Sequence, residues 1–165
     1  MEGARPADLA DVERLAALGR EGAAELAPMR GGAIWSAREA RPEPLEDAFG
    51  ALLARDDTRV VAGTIDGAVI GFGVGRLEQL RDGRCLGIID ELYVESEARS
   101  IGVGEAIVDQ LLEFFTDHGC VGADAVALPG NRATKNFFEQ HGFVARMIVM
   151  HRPLDRGSTE PGDRH

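Results

Sequence analysis

One lysine, one tryptophan and one tyrosine are all that 165 residues hold of these types, against 17 arginines and 21 glycines. Cysteine is nearly as scarce. Cys85 and Cys120 stand apart, without metal-ligand spacing and too few for a disulfide framework, so two reduced, packed thiols are expected and no metal site is. Positive charge is also short: Asp and Glu outnumber Lys and Arg by 28 to 18, a formal charge of -10. That balance opposes attachment to phosphate backbones and anionic lipid, which sets nucleic acid and membrane surfaces aside as partners. Nowhere do 18 uncharged apolar residues run together, and the N-terminus is acidic. Neither a transmembrane span nor a signal peptide is expected, and the implied location is cytoplasmic.

What is present is the material of one core. Apolar residues make up 44% and charged residues 28%, spread along the chain, which predicts one globular domain over residues 1–154 and a disordered tail over 155–165. Asp8 can cap a helix with Leu9, Val12, Leu15 and Ala16 at helical spacing; Gly19 and Gly22 weaken its second half. Residues 29–41 are rich in Gly and Arg around Ile34 and Trp35. Pro42 and Pro44 then introduce a helix with a stripe of Leu45, Ala48, Phe49, Leu52 and Leu53. Runs 59–65 and 68–76 are strand-like and joined by Asp66-Gly67, the dipeptide of a two-residue hairpin. A third strand is predicted at 84–94, a helix at 103–118 ended by Gly119, a strand at 123–128, a helix at 132–141 capped by Asn131, and a last strand at 143–152. The order argues for an α/β (α+β) domain with a mixed sheet covered by helices.

The segment richest in chemistry is Arg99-Ser100-Ile101-Gly102-Val103-Gly104, at the start of a helix. Glycines there leave backbone N–H groups open to a pyrophosphate. It is not a dinucleotide fingerprint, because Ile107 holds the place of the third glycine, and it lacks the Gly-Lys-Ser/Thr ending of a Walker loop. A helix cap without ligand remains the alternative.

The run Asp90-Glu91-Leu92-Tyr93-Val94, followed after five residues by Arg99 and the Arg-x-x-Gly-x-Gly loop, resembles the central acetyl-CoA motif of the GCN5-related N-acetyltransferase (GNAT) superfamily. Asn131, then Asn136-Phe137-Phe138-Glu139-Gln140-His141-Gly142-Phe143, is similar to the closing motif of that family, and Arg5-Pro6-Ala7-Asp8 resembles its usual start. The resemblance covers roughly residues 5–153, with 20–57 alike in element order alone. It implies a mostly antiparallel central sheet whose strands 84–94 and 123–128 splay apart to admit pantetheine. It implies, too, acetyl-CoA as co-substrate without a metal. Amides of Ile101, Gly102, Val103, Gly104 and Glu105 would hold the pyrophosphate, with Arg99 opening the loop. Main-chain groups of Leu92 and Val94 would meet the pantetheine and thioester, and Asn131 would sit across the gap, where it is equally a plain helix cap.

The implied reaction is attack of a primary amine, on a small molecule or a protein, upon a thioester. An ammonium of pKa about 10 must first lose a proton. Glu91 and Asp90 are the only acids within the apolar third strand, and one of them is the candidate base, Glu91 preferred. Strand alternation places Asp90, Leu92 and Val94 on one face and Glu91 and Tyr93 on the other, but a bulge would change that parity; an acid bonded to a neighbouring loop is the structural alternative. The chain departs from the family at Phe138, where many members carry a Tyr that protonates the leaving thiolate; Phe has no proton to give. Tyr93 and the four histidines, His118, His141, His151 and His165, are the remaining donors, His118 and His141 being explained by helix ends. Gly71, Gly73 and Gly75 alternate along one strand face, either opening it to an acceptor or letting a helix pack closely. By analogy Arg30, Trp35 and Arg38 flank the acceptor, though Trp35 equally fits a core anchor. The competing function is a non-catalytic acyl-CoA-binding sensor. Family members often dimerise, which makes a homodimer one implied assembly.

Overall fold

The structure, a computed structural model, describes residues 1–154. Asp66 and Gly67 both take left-handed φ, 49° and 85°, as a type I′ hairpin demands, and join β2 (Thr58–Ile65) to β3 (Ala68–Gln79). β4 (Cys85–Val94) continues the antiparallel meander, β1 (Glu2–Pro6) pairs antiparallel with β2, and β5 (Ala123–Ala125) runs parallel to β4. The strand order is β1-β2-β3-β4-β5. This is the mixed, mostly antiparallel sheet flanked by helices that the sequence and its family resemblance implied.

One sheet face is stripped of side chains so that a helix can lie on it. A Cβ on Gly73 would stand 2.5 Å from Ile107, and one on Gly87 2.3 Å from Phe115; both belong to α4 (Val103–Asp117). The glycine stripe therefore serves helix packing, the second of its two readings. Ile107, Val108, Leu111 and Phe115 pack there with Val61, Ile89 and Phe138. The opposite face carries α1 (Val12–Leu26) and α3 (Leu45–Leu53), whose Leu15, Leu18 and Phe49 bury Val60, Phe72 and Val74. Phe49 and Phe72 meet edge to face at 5.3 Å, a favourable aromatic arrangement. Gly19 and Gly22 do not break α1; they are its contact points with Leu45 and Tyr93. At its start Asp8 caps a single 3-10 turn, Leu9–Asp11, and Asp11 accepts from the Asp8 amide at 2.9 Å and from both Arg5 nitrogens at 2.8 and 2.9 Å.

Four expectations need correction. β1 was not foreseen, because five residues containing Gly3 and Pro6 show no strand period. Nor was α2 (Gly32–Arg38), a two-turn helix too short to repeat an apolar stripe. β5 ends at Ala125, not at residue 128. And 143–152 is not a strand: among the described residues it joins no ladder, and Val144, Met147, Ile148, Val149 and Met150 are 71–88% exposed. The expected tail, 155–165, lies outside the described residues.

Candidate active site

β4 and β5 part company in mid-strand. They pair from Gly87↔Ala123 to Ile89↔Ala125. There β5 stops, while β4 runs on to Val94. At the fork Val74 faces Glu91 but Gly75 faces Ile89, so Asp90 is an extra, bulged residue. The bulge overturns the simple alternation and brings both acids to the face away from α4. Arg41 spans them: its Nε contacts Glu91 Oε1, and its Nη2 lies 4.0 Å from Asp90 Oδ2. Arg76 donates through Nε to both Asp90 oxygens at 3.1 and 3.2 Å. The four groups form one chain of alternating charge, Arg76–Asp90–Arg41–Glu91.

Glu91 closes a cavity of about 30 Å³ lined also by Gly19, Trp35, Arg41, Leu45 and Phe49, roughly the room of one water. Burial pushes its carboxyl above the usual value; the Arg41 guanidinium pulls it back down, and the Asp90 charge pushes it up. A carboxyl raised in this way holds a proton more readily than an exposed glutamate does.

The free edge of β4 faces the gap left by β5. Glu95 N–H donates to Ile70 O on the β3 side at 2.9 Å, so alternation turns the main-chain groups of Leu92 and Val94 to the open side. The Val94 carbonyl accepts there from Arg99 Nε at 2.9 Å. Arg99 also makes a two-pronged bond to Glu25 at 2.9 and 2.7 Å and stands over the Tyr93 ring, while the Tyr93 hydroxyl donates to Glu21 at 3.2 Å. Arg99 and Tyr93 thus tie the end of β4 to α1.

Beyond Arg99, Ser100 (φ 71°) and Gly102 (φ 92°) are left-handed around exposed Ile101. α4 then opens with no side-chain cap, which leaves first-turn amides at Val103, Gly104 and Glu105 without intrahelical acceptors and with the positive end of the helix dipole. Such an end can hold an anion. Gly104 has a second role: its Cβ would meet the Phe137 ring at 3.3 Å, so α5 (Arg132–Gln140) seats on it. Glu2 lies beside the loop, its Cγ 3.4 Å from where a Gly102 Cβ would be.

The remaining candidates sit elsewhere. Asn131 caps α5, accepting from Thr134 N at 3.3 Å. Phe138 is a core residue, edge-on to Phe137 and Phe143. His118 and His141 bond carbonyls of their own helices through Nδ1, at 2.9 and 2.8 Å, and His151 is exposed. Trp35 lines the Glu91 cavity, whereas Arg38 turns to Glu39. Arg41 and Arg76 were missed. Arg76 could have been found by allowing a bulge at Asp90 in the hairpin register; nothing local marks Arg41, which reaches Glu91 only through the fold.

The family model described as "Acetyltransferase (GNAT) family" matches residues 27–143. No curated protein matches the chain. Among solved structures, a tetramutant of the BH1408 protein from Bacillus halodurans is 20% identical, with TM-score 0.79, over 92% of this chain and 99% of that one. A ribosomal-protein-alanine N-acetyltransferase from Brucella melitensis is 17% identical, with TM-score 0.67, over 94% and 100%. AAC(6')-Iy, solved with the bisubstrate analog CoA-S-monomethyl-acetylneamine, is 18% identical, with TM-score 0.72, over 94% and 99%. At these identities the structures attest the fold, and the family model covers most of the chain: the protein belongs to the GNAT family of acetyltransferases.

Proposed function

We propose that the chain moves the acetyl group of acetyl-CoA to a primary amine within one ternary complex. The pantetheine lies along the unpaired edge of β4, bonded to main-chain groups of Leu92 and Val94, and the pyrophosphate meets the amides of residues 101–105. Glu91, directly or through a water, takes the ammonium proton. The neutral amine then attacks the thioester carbonyl, the C–S bond breaks, and the proton that the attacking nitrogen sheds passes through water to the departing CoA thiolate, since Phe138 offers none. Asp90 is the alternative base, and the acceptor is a small amine or a protein amino group. One observation carries this reading: the bulge at Asp90 sets both acids on one face at the point where β4 loses its partner.

The test pairs binding with turnover. Acetyl-CoA should raise the melting temperature with dose, as any ligand of the folded state alone must, and free CoA should appear with some member of a panel of aminoglycosides, polyamines, amino acids and peptides. No thermal shift at millimolar acetyl-CoA would sink the cofactor assignment. A shift without CoA release from any amine would make the chain a sensor.

A further inference from the structure

The chain's two cysteines stand 35 residues apart in sequence and meet in the fold. Gly119 takes a left-handed φ of 70° and ends α4 in a Schellman turn: its N–H donates to the Thr116 carbonyl and the Cys120 N–H to that of Phe115, both at 3.0 Å. That turn delivers Cys120 beside Cys85, the first residue of β4. Val121 N–H then donates to the Cys85 carbonyl at 2.9 Å, and Gly87 N–H to the Gly122 carbonyl at 3.0 Å. Backbone bonds thus fix both segments before β5 begins. The two Sγ atoms lie 2.8 Å apart, and both thiols are free and half-buried.

A cysteine kept only as a small apolar side chain needs no sulfur opposite it; each of these faces the other. Burial, then the hydrogen bond with Cys85 and its charge, push the Cys120 thiol up to about 11. Cys120 therefore keeps its proton at neutral pH, and Cys85 is the sulfur left to attack. Arg84, Gly119 and Val121 around the pair are exposed, so a small reagent reaches it from solvent.

We infer that Cys85 and Cys120 form a redox site, a dithiol that a small-molecule disulfide oxidises to an internal bridge clasping the root of the β4/β5 fork. Cys85 as thiolate attacks one sulfur of the reagent R–S–S–R, and the first RS⁻ leaves; Cys120 then attacks Cys85 Sγ in this mixed disulfide, and the second RS⁻ leaves. The two cysteine protons end on the two RS⁻ groups. The dithiol loses two electrons and the reagent gains them. The bridge ties the end of α4 to the start of β4, whereas Leu92 and Val94 lie at the far end of that strand, so it stands apart from the proposed acetyl transfer. A cross-link over this span of chain restricts the unfolded state and so stabilises the fold.

Wild-type protein held in oxidised glutathione should lose both titratable thiols and weigh two hydrogens less, with no glutathione attached. It should run as a single chain on a non-reducing denaturing gel and melt roughly 5–15 °C higher than in dithiothreitol. Neither Cys85→Ser nor Cys120→Ser should gain in melting temperature on oxidation. Cys120→Ser should keep glutathione as a stable adduct on Cys85, while Cys85→Ser takes it up far more slowly. Wild-type thiols that stay free, glutathione adducts as the wild-type end product, or cross-links between chains would overturn the inference. So would a bridged protein that melts no higher than the reduced one, because the bond would then strain the fork instead of clasping it.

Discussion

Glu91 sits between influences of opposite sign, so its neighbours should move its titration in opposite directions. Burial and Asp90 raise its carboxyl and Arg41 lowers it. A base must be ionised in the free enzyme, so the acid limb of kcat/KM should lie above the ordinary value of about 4.3. Arg41→Met should shift that limb to higher pH and Asp90→Asn to lower pH; limbs that stay put in both variants would remove Glu91 as the base. Glu91→Gln should spare acetyl-CoA affinity and cut kcat by roughly 10² to 10⁴, with the loss shrinking as pH rises and more acceptor arrives neutral. A pH-independent loss would instead mean a misplaced thioester. Asp11 presents the opposite case. The Arg5 guanidinium, with the Asp8 amide, holds its carboxyl low against the cost of burial. A depressed folded value gives stability that is whole above the unfolded value of about 3.9 and lost as pH falls through the folded one. Asp11→Asn should cost roughly 2 kcal/mol at neutral pH, and the gap from wild type in urea titrations should close in acid.

At the scale of elements, the two loop glycines divide their labour. Gly102 is left-handed, so Gly102→Ala should strain the turn by about 1 kcal/mol. Gly104 faces Phe137, so Gly104→Val should lower the melting temperature without any ligand, by the roughly 1–3 kcal/mol of an overpacked contact. A ligand-free Gly104→Val protein as stable as wild type would leave the glycine to phosphate alone. Much of this was legible in the sequence because it is local: Asp66-Gly67 for its hairpin, Phe114 and Phe115 within the stripe of α4, Asn131 for the cap of α5. What stayed hidden depends on partners distant in the chain. The bulge that sets Asp90 and Glu91 on one face was allowed for in the sequence but is fixed only by the register of β3, Arg41 reaches them across some fifty residues of sequence, and residues 143–152 have a strand's composition without a strand's neighbour. The motif glycines were read from sequence as a ligand loop or a helix cap, and neither reading included the Phe137 contact, since only the packed structure sets Phe137 over Gly104.

For the whole molecule, the formal charge of -10 would act on the proposed co-substrate, acetyl-CoA, which is itself an anion. Charges around the loop do not reverse that field: Glu2 flanks Gly102, Glu105 opens α4, and Arg99 is already bonded to Glu25. The amides and dipole at the α4 N-terminus attract phosphate only over the first turn, whereas the net charge repels it from several ångströms out. At about 0.01 M salt the screening length is ~30 Å, and at 0.15 M ~8 Å. Raising ionic strength over that range should therefore speed acetyl-CoA association, because the long-range repulsion is screened while the contact amides are not. Stopped-flow association rates check this directly. A polyamine acceptor should behave oppositely, its KM rising with salt, because the same field draws a polycation in. If acetyl-CoA association slowed as salt was added, the loop would have to present net positive charge, and the assignment of Arg99 to Glu25 rather than to the phosphates would be wrong.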